Sequence, residues 1–243
     1  MDYDPVDEIM VTVGVSEAIG VVMTTLLNPG DEVLIPDPAY LAYPACVSIA
    51  RGKPVLVPTR AEDEFKLTVE ELEKKVTPRT KAILIGYPNN PTGTVMDRES
   101  LVKIADFAQK HDLVVISDEI YCDLTYEGTH TCFASLPGMK ERTLTMNGFS
   151  KSYAMTGLRV GYICGPREIM EQIYKVHQYE ILCASVTSQY GAIAALKYCD
   201  DDVKAMYDEY AARREMVYEG LKKIGLSVFK PKGAFYIFPD ISI

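Results

Sequence analysis

Along this chain, short apolar runs bounded by Gly, Pro, Asn or Asp alternate with longer segments whose apolar positions recur at helical spacing. Residues 8–13 predict a buried strand ended by Gly14. An apolar helix over 17–27 follows, opened by Ser16 and stopped by Asn28-Pro29-Gly30. Further strands are predicted over 31–35, 53–57, 81–85, 113–117 and 143–146. Between them, 68–76 reads as a short amphipathic helix that starts on a capping box, Thr68-Val-Glu-Glu71, and 97–110 as a second helix. The run over 158–164 follows its predecessor with no crossover helix, so it is predicted antiparallel to its neighbours. From Pro166 the period turns helical over 167–180, 186–198 and a long charged run over 201–224, which Gly225 ends. Two short β-like pieces, 226–229 and 234–238, close the chain and begin a second small unit.

Strands that alternate with helices in this way predict an α/β fold with a mostly parallel sheet carrying one antiparallel strand. The chemistry-bearing residues gather where the predicted strands end, which is where ligands sit in open α/β sheets. The turn Gly14-Val15-Ser16 leaves backbone N–H groups at a helix N-terminus, where a phosphate is stabilised. Taken alone it is also an ordinary strand–helix connection with Ser16 as N-cap. Tyr40 and Tyr43 follow one strand, where an aromatic ring can stack on a planar ligand or staple a helix start. Asn90 sits in Tyr87-Pro-Asn-Asn-Pro-Thr-Gly93, where it can donate to a ligand or serve its own turn. Asp118 ends an apolar strand and either faces a site or caps a turn. Lys151 and Arg159 lie beyond the next strand, among small, polar and aromatic residues.

Composition acts mainly by exclusion. The 243 residues are 48% hydrophobic, enough for a sizeable core, and the formal net charge of -9 argues against nucleic-acid or anionic-membrane partners. No apolar run is long enough to cross a bilayer, and the opening Met1-Asp-Tyr-Asp-Pro5 lacks the basic-then-apolar order of a signal peptide. The 6 cysteines form no Cys-x-x-Cys pair and several sit inside apolar runs, so a reduced, cytoplasmic protein is expected. No His/Cys cluster has metal-ligand spacing. His111 and His130 read as loop or helix-end residues, and His177 as a structural one.

Three segments then appear in a telling order: Asn89-Asn-Pro-Thr-Gly93, Ser117-Asp-Glu-Ile-Tyr121 and Ser150-Lys-Ser-Tyr-Ala-Met-Thr-Gly-Leu-Arg159-Val-Gly-Tyr162. Together they resemble the fold-type-I, pyridoxal-phosphate-dependent aminotransferases of class I/II, near the aspartate and aromatic amino-acid branch. The resemblance runs from about Ile9 to Phe238. It implies a three-layer α-β-α large domain over residues 1–200, then a connecting helix and the start of a small α+β domain over 201–243. It also implies pyridoxal 5'-phosphate as cofactor, an amino acid and a 2-oxo acid as substrates, and a homodimer.

The resemblance gives each residue a role. Lys151 would form the Schiff base with the cofactor aldehyde and afterwards move the α-proton. Asp118 would keep the pyridine nitrogen protonated, while Asn90 and Tyr121 would bond the phenolate oxygen. Tyr40 would stack on the ring. Arg159 would clamp the phosphate, helped by backbone N–H groups around Val15 and Ser16. A carbon–sulfur β-lyase of the same fold, or a cofactor-binding domain without turnover, would use the same residues.

The sequence departs from that pattern in places. Gly148 stands three residues before the lysine, where many relatives carry a phosphate-binding serine, and Val15 stands where a smaller residue is common. Relatives extend further at both ends, with a segment that covers the substrate and an arginine that binds its α-carboxylate. A nearly complete cofactor site and an incomplete substrate site are therefore expected. Phe235 and Tyr236 lie where an aromatic or apolar substrate could be met, and core packing explains them equally well.

Overall fold

A strand whose successive residues are all apolar must be covered on both faces, because neighbouring side chains point to opposite sides. The computed structural model, which describes residues 2–242, meets that demand with a seven-stranded sheet between layers of helices. The strands are β1 (Ile9–Thr12), β2 (Glu32–Asp37), β3 (Lys53–Pro58), β4 (Thr80–Gly86), β5 (Val114–Asp118), β6 (Thr143–Gly148) and β7 (Gly161–Cys164). Their spatial order is β1-β7-β6-β5-β4-β2-β3. From β3 to β6 neighbouring strands are parallel, and β7 runs antiparallel to both β6 and β1. The expected mostly parallel sheet with one antiparallel strand is what forms.

Strand alternation decides which helix covers which face. Val33, Ile35, Leu84 and Ile116 pack with α1 (Gly14–Leu26), α2 (Ala42–Ile49) and α5 (Arg167–Glu180). Their neighbours Leu34, Ile83, Ile85 and Val115 pack with α3 (Val69–Glu73) and α4 (Arg98–Lys110) on the other side. On α6 (Val186–Tyr198), Ala192 and Ala195 lie against Phe149 and Val160. The long α7 (Asp200–Lys223) buries no residue fully; its Tyr207 and Tyr210 rest on a small cluster that contains Tyr121, Leu124 and Ala234. A separate two-stranded sheet joins β8 (Ser227–Val228) to β9 (Pro239–Asp240).

The structure adds a helix that was not expected, α2, and shortens the helix expected over 68–76 to Val69–Glu73; three further differences bear on the site and its surroundings. Helix α1 starts at Gly14, ahead of Ser16, so Ser16 lies in the first turn and caps nothing. Glu17 does the capping instead: its carboxylate reaches back to accept from the Val13 N–H. Strand β7 starts only at Gly161, because Arg159 adopts φ 51, ψ 61 at the end of a 3-10 turn, and a left-handed residue cannot continue a strand. Residues 234–238 form no strand. Ala234 has φ 55 and donates its N–H to the Leu124 carbonyl, and the strand pairing with β8 comes later, at β9. Elsewhere the local rules hold: Thr68 accepts from the Glu71 N–H, and Asp97 from the Ser100 N–H at 2.8 Å.

Candidate active site

The C-terminal ends of β2, β4, β5 and β6 meet the N-terminus of α1 around a cleft of about 680 Å³, part of it open to solvent. Val15, Ser16, Tyr40, Asn90, Asp118, Tyr121, Lys151 and Arg159, the residues singled out from the sequence, all line it.

Asp118 forms the floor. It is only 5% exposed, its Oδ2 accepts from the Tyr43 hydroxyl at 2.8 Å, and its Oδ1 accepts from the Ile120 N–H at 3.2 Å. Burial pushes its carboxyl up to about 6. The Tyr43 and Ile120 hydrogen bonds and the Lys151 charge oppose that shift, and the neighbouring Glu119 adds to it. Sequence reasoning noticed Tyr43 only as a second aromatic near Tyr40. Its access to Asp118 depends on Gly86, because a Cβ there would collide with the Tyr43 hydroxyl. A glycine at the end of an apolar strand, just before Tyr87-Pro88, was the available signal.

Lys151 stands in the wall of the cleft, half-buried, its Nζ 5.6 Å from the centre of the Tyr121 ring and 5.6 Å from that of Phe235. Burial lowers the pKa of the ammonium; Asp118 opposes the shift and Arg159 adds to it. More of the amine is thus uncharged and nucleophilic than in water. Asn90 and Tyr121 each contact the Tyr236 hydroxyl, at 3.2 Å and 2.6 Å. Tyr236 thus does both: its ring packs against the cluster of Tyr121, Leu124 and Ala234, and it lines the cleft with its hydroxyl beside Asn90 and Tyr121.

The opposite end is built for an anion. Arg159 Nη1 donates to the Thr156 carbonyl at 3.0 Å, and the guanidinium lies against Gly14, so close that a Cβ at Gly14 would fall 2.6 Å from Nη2. Gly14 has φ 71, which glycine adopts without strain. First-turn N–H groups of α1 have no partner within the helix and carry its positive dipole end. Glu17, which caps that turn, also meets His177 Nδ1 at 2.6 Å, giving His177 a structural place behind the site. The Gly148 departure has a steric cause: a Cβ there would be 2.8 Å from Gly161 Cα and 3.0 Å from the Val160 carbonyl oxygen. No serine fits without moving β7.

A buried carboxylate, a cation beside a helix N-terminus and a half-buried amine on which both charges act line one cleft, a set of groups that suits a ligand with a ring nitrogen, an aldehyde and a phosphate. The set fits pyridoxal 5'-phosphate. Among the described residues no group of His, Cys, Asp or Glu is arranged to hold a metal ion, and no helix is long and apolar enough to cross a membrane.

Comparison with known proteins gives the chain its family. The family model for aminotransferase class I and II matches residues 1–242, and the chain belongs to that family. It is 47% identical to aromatic-amino-acid aminotransferase 2 of Thermococcus litoralis over 99% of this chain and 63% of that protein. It is 48% identical to an aspartate aminotransferase of Pyrococcus abyssi, again over 99% of this chain and 63% of the other. Among solved structures, the aromatic aminotransferase of Pyrococcus horikoshii matches with a TM-score of 0.97 and 48% identity, covering 99% of this chain and 65% of that one. The chain thus spans a little under two thirds of the length of these relatives.

Proposed function

We propose that this chain carries the cofactor site of a pyridoxal-phosphate-dependent aminotransferase, which moves an amino group from an amino acid to a 2-oxo acid. The observation that carries the reading is that the Lys151 amine, its pKa lowered by burial, lines one cleft with the Asp118 carboxylate and the Arg159 guanidinium, whose charges both act on it. When bound, the cofactor supplies an aldehyde and an electron-withdrawing ring.

The chain's own residues do the rest. Lys151 would hold the cofactor through its amine and would serve as the base that carries the substrate's α-proton. Asp118 holds a proton on the ring nitrogen through a charge-assisted hydrogen bond. Asn90 and Tyr121 donate to the phenolic oxygen. Tyr40, 38% exposed at the mouth and edge-on to Tyr43 at 5.5 Å between centroids, covers the ring face. Arg159 and the α1 N–H groups near Val15 and Ser16 hold the phosphate.

In this reading the substrates are small amino and oxo acids; neither nucleic acid nor membrane is a partner, and the protein works in the cytoplasm. Residues 1–200 are the cofactor domain, and 201–243 lead into a small one. A homodimer is also part of the proposal, supported by the exposed apolar side chains of Tyr190, Ile193 and Leu196 on α6.

The test is an absorption spectrum with pyridoxal phosphate, for the parent and for Lys151→Ala, before and after adding a panel of amino acids. A visible band that needs Lys151 and is bleached by an amino donor is expected. A band equally strong in Lys151→Ala, or none in the parent, refutes the reading.

A further inference from the structure

Asn90 and Tyr121 come from the ends of different strands, yet both are bonded to a third group. Asn90 Nδ2 donates to the Tyr236 hydroxyl at 3.2 Å, and the Tyr121 and Tyr236 oxygens are 2.6 Å apart. The segment that carries Tyr236 is tied down on several sides. Lys232 and Gly233 both donate to the Gly93 carbonyl at 2.9 Å, Tyr126 donates to the Lys232 carbonyl at 2.8 Å, and Ala234 donates to Leu124 at 2.9 Å. The Lys232 ammonium adds bonds to both Glu64 oxygens at 2.7 Å. The Tyr236 ring meets Tyr121 edge-on at 5.6 Å between centroids. The hydroxyl is therefore held against Tyr121 by the backbone that delivers it.

Counting protons shows what that hydroxyl can do. Each tyrosine brings one proton, and the Asn90 amide brings two. Burial keeps both phenols above their ordinary pKa, so both protons stay on at neutral pH. If Tyr121 supplies the proton between the two oxygens, it has only lone pairs left to offer the cleft. If Tyr236 supplies it, the Tyr121 proton is free to point inward. An anionic oxygen in the cleft selects the second arrangement, and Asn90, donating to Tyr236, polarises it further.

We propose that Tyr236 is a positioning residue of the cofactor site: it accepts from Asn90 and donates to Tyr121, so that the Tyr121 hydroxyl presents its proton to the phenolic oxygen of the cofactor. The proposal rests on the reading that pyridoxal phosphate occupies this cleft. Tyr236 makes and breaks no bond with substrate and acts through Tyr121. A hydrogen bond donated to the anionic oxygen lowers the pH at which the lysine-bound chromophore releases its proton. Without Tyr236 as donor that pH rises.

The experiment is a pH titration of the visible absorption of the cofactor-loaded protein for Tyr236→Phe, Tyr121→Phe and the double variant, with thermal unfolding beside it. Tyr236→Phe removes one oxygen and keeps the ring contacts, so its unfolding midpoint should stay close to the parent's. Its chromophore should bind the proton roughly two- to tenfold more tightly. Tyr121→Phe should have a larger effect, and the double variant should match Tyr121→Phe alone, as expected for a residue acting through its neighbour. An unchanged titration in Tyr236→Phe overturns the proposal. So does an equal effect in both backgrounds, which would mean direct contact, or a loss of folding, which would mean a structural role only. A parent with no Lys151-dependent band defeats the underlying reading instead, so the two failures are distinguishable.

Discussion

Asp118 is a carboxylate that the cofactor-free fold must tolerate, and Asp118→Asn isolates that burden. Burial raises the group from 3.8 to about 6, which means its ionised form is worse tolerated in the folded chain than in the unfolded one. The stability contributed by the protonated carboxyl is complete below the unfolded value, falls through the window from 3.8 to about 6, and is gone above it. At 1.36 kcal/mol per tenfold change in acidity, the full loss is about 3 kcal/mol, as an upper figure. Asparagine does not ionise, has the same shape, and can still accept from Tyr43 or Ile120. Asp118→Asn should therefore be more stable than the cofactor-free parent by up to about 3 kcal/mol at pH 7.5, and by less than about 1 kcal/mol at pH 4. For a chain of this size that is roughly 2–4 °C of unfolding temperature per kcal/mol. Urea unfolding at the two pH values, both away from the sequence pI of 4.9, measures it. Added pyridoxal phosphate should reverse the order, because only the parent offers the ring nitrogen a charge. A variant less stable than the parent at pH 7.5, or a difference that does not change with pH, would refute the reasoning.

Two further substitutions test neighbouring parts of the site. Tyr43→Phe removes the donor to Asp118 Oδ2, so it should cost roughly 1–3 kcal/mol at neutral pH and weaken cofactor binding, as followed by spectral titration. The stability cost should shrink in an Asp118→Asn background, and an equal cost in both would break the link. Gly148→Ser, which restores the serine common in relatives, should lower stability by about 1–3 kcal/mol through overpacking against β7 and leave phosphate affinity no better. A gain in pyridoxal-phosphate affinity with an unchanged unfolding midpoint would show that the backbone can yield there.

How far the sequence alone could see depended on the distance over which each feature is determined. The parallel sheet was legible because runs such as 81–85 are apolar at every position, and such strands must lie between helices. Asp118, Asn90 and Lys151 were legible as candidates because polar side chains at strand ends have little packing to do. The Tyr43 bond to Asp118 joins residues 75 apart, and the Tyr236 contact with Tyr121 joins residues 115 apart. Neither leaves a local pattern. Ala234 shows the same limit in the backbone: its left-handed φ is imposed by bonds to Leu124 and by the anchoring of Lys232 and Gly233 on Gly93, against the extended run its neighbours suggest. The start of α1 failed for a local reason. Two capping signals, Ser16 and Glu17, compete there, and the longer side chain reaches the N–H that matters.

The anion end of the cleft shows what the glycine departure is for. Gly148 on β6, Gly161 on β7 and Gly14 at the head of α1 lie one against the next: a Cβ on Gly161 would be 3.0 Å from both the Gly14 carbonyl carbon and the Val15 nitrogen. Only side-chain-free residues allow that approach, and it is this approach that brings the first turn of α1 against the end of β7, where Arg159 turns back with φ 51. A serine at 148 would add one hydroxyl and push apart the layers that bring the guanidinium to the helix N-terminus. A formal charge and a set of backbone donors hold a phosphate better than one neutral hydroxyl does. On the proposed reading, the position that looks like a lost phosphate contact in the sequence is therefore the one that lets Arg159 and the N-terminus of α1 meet.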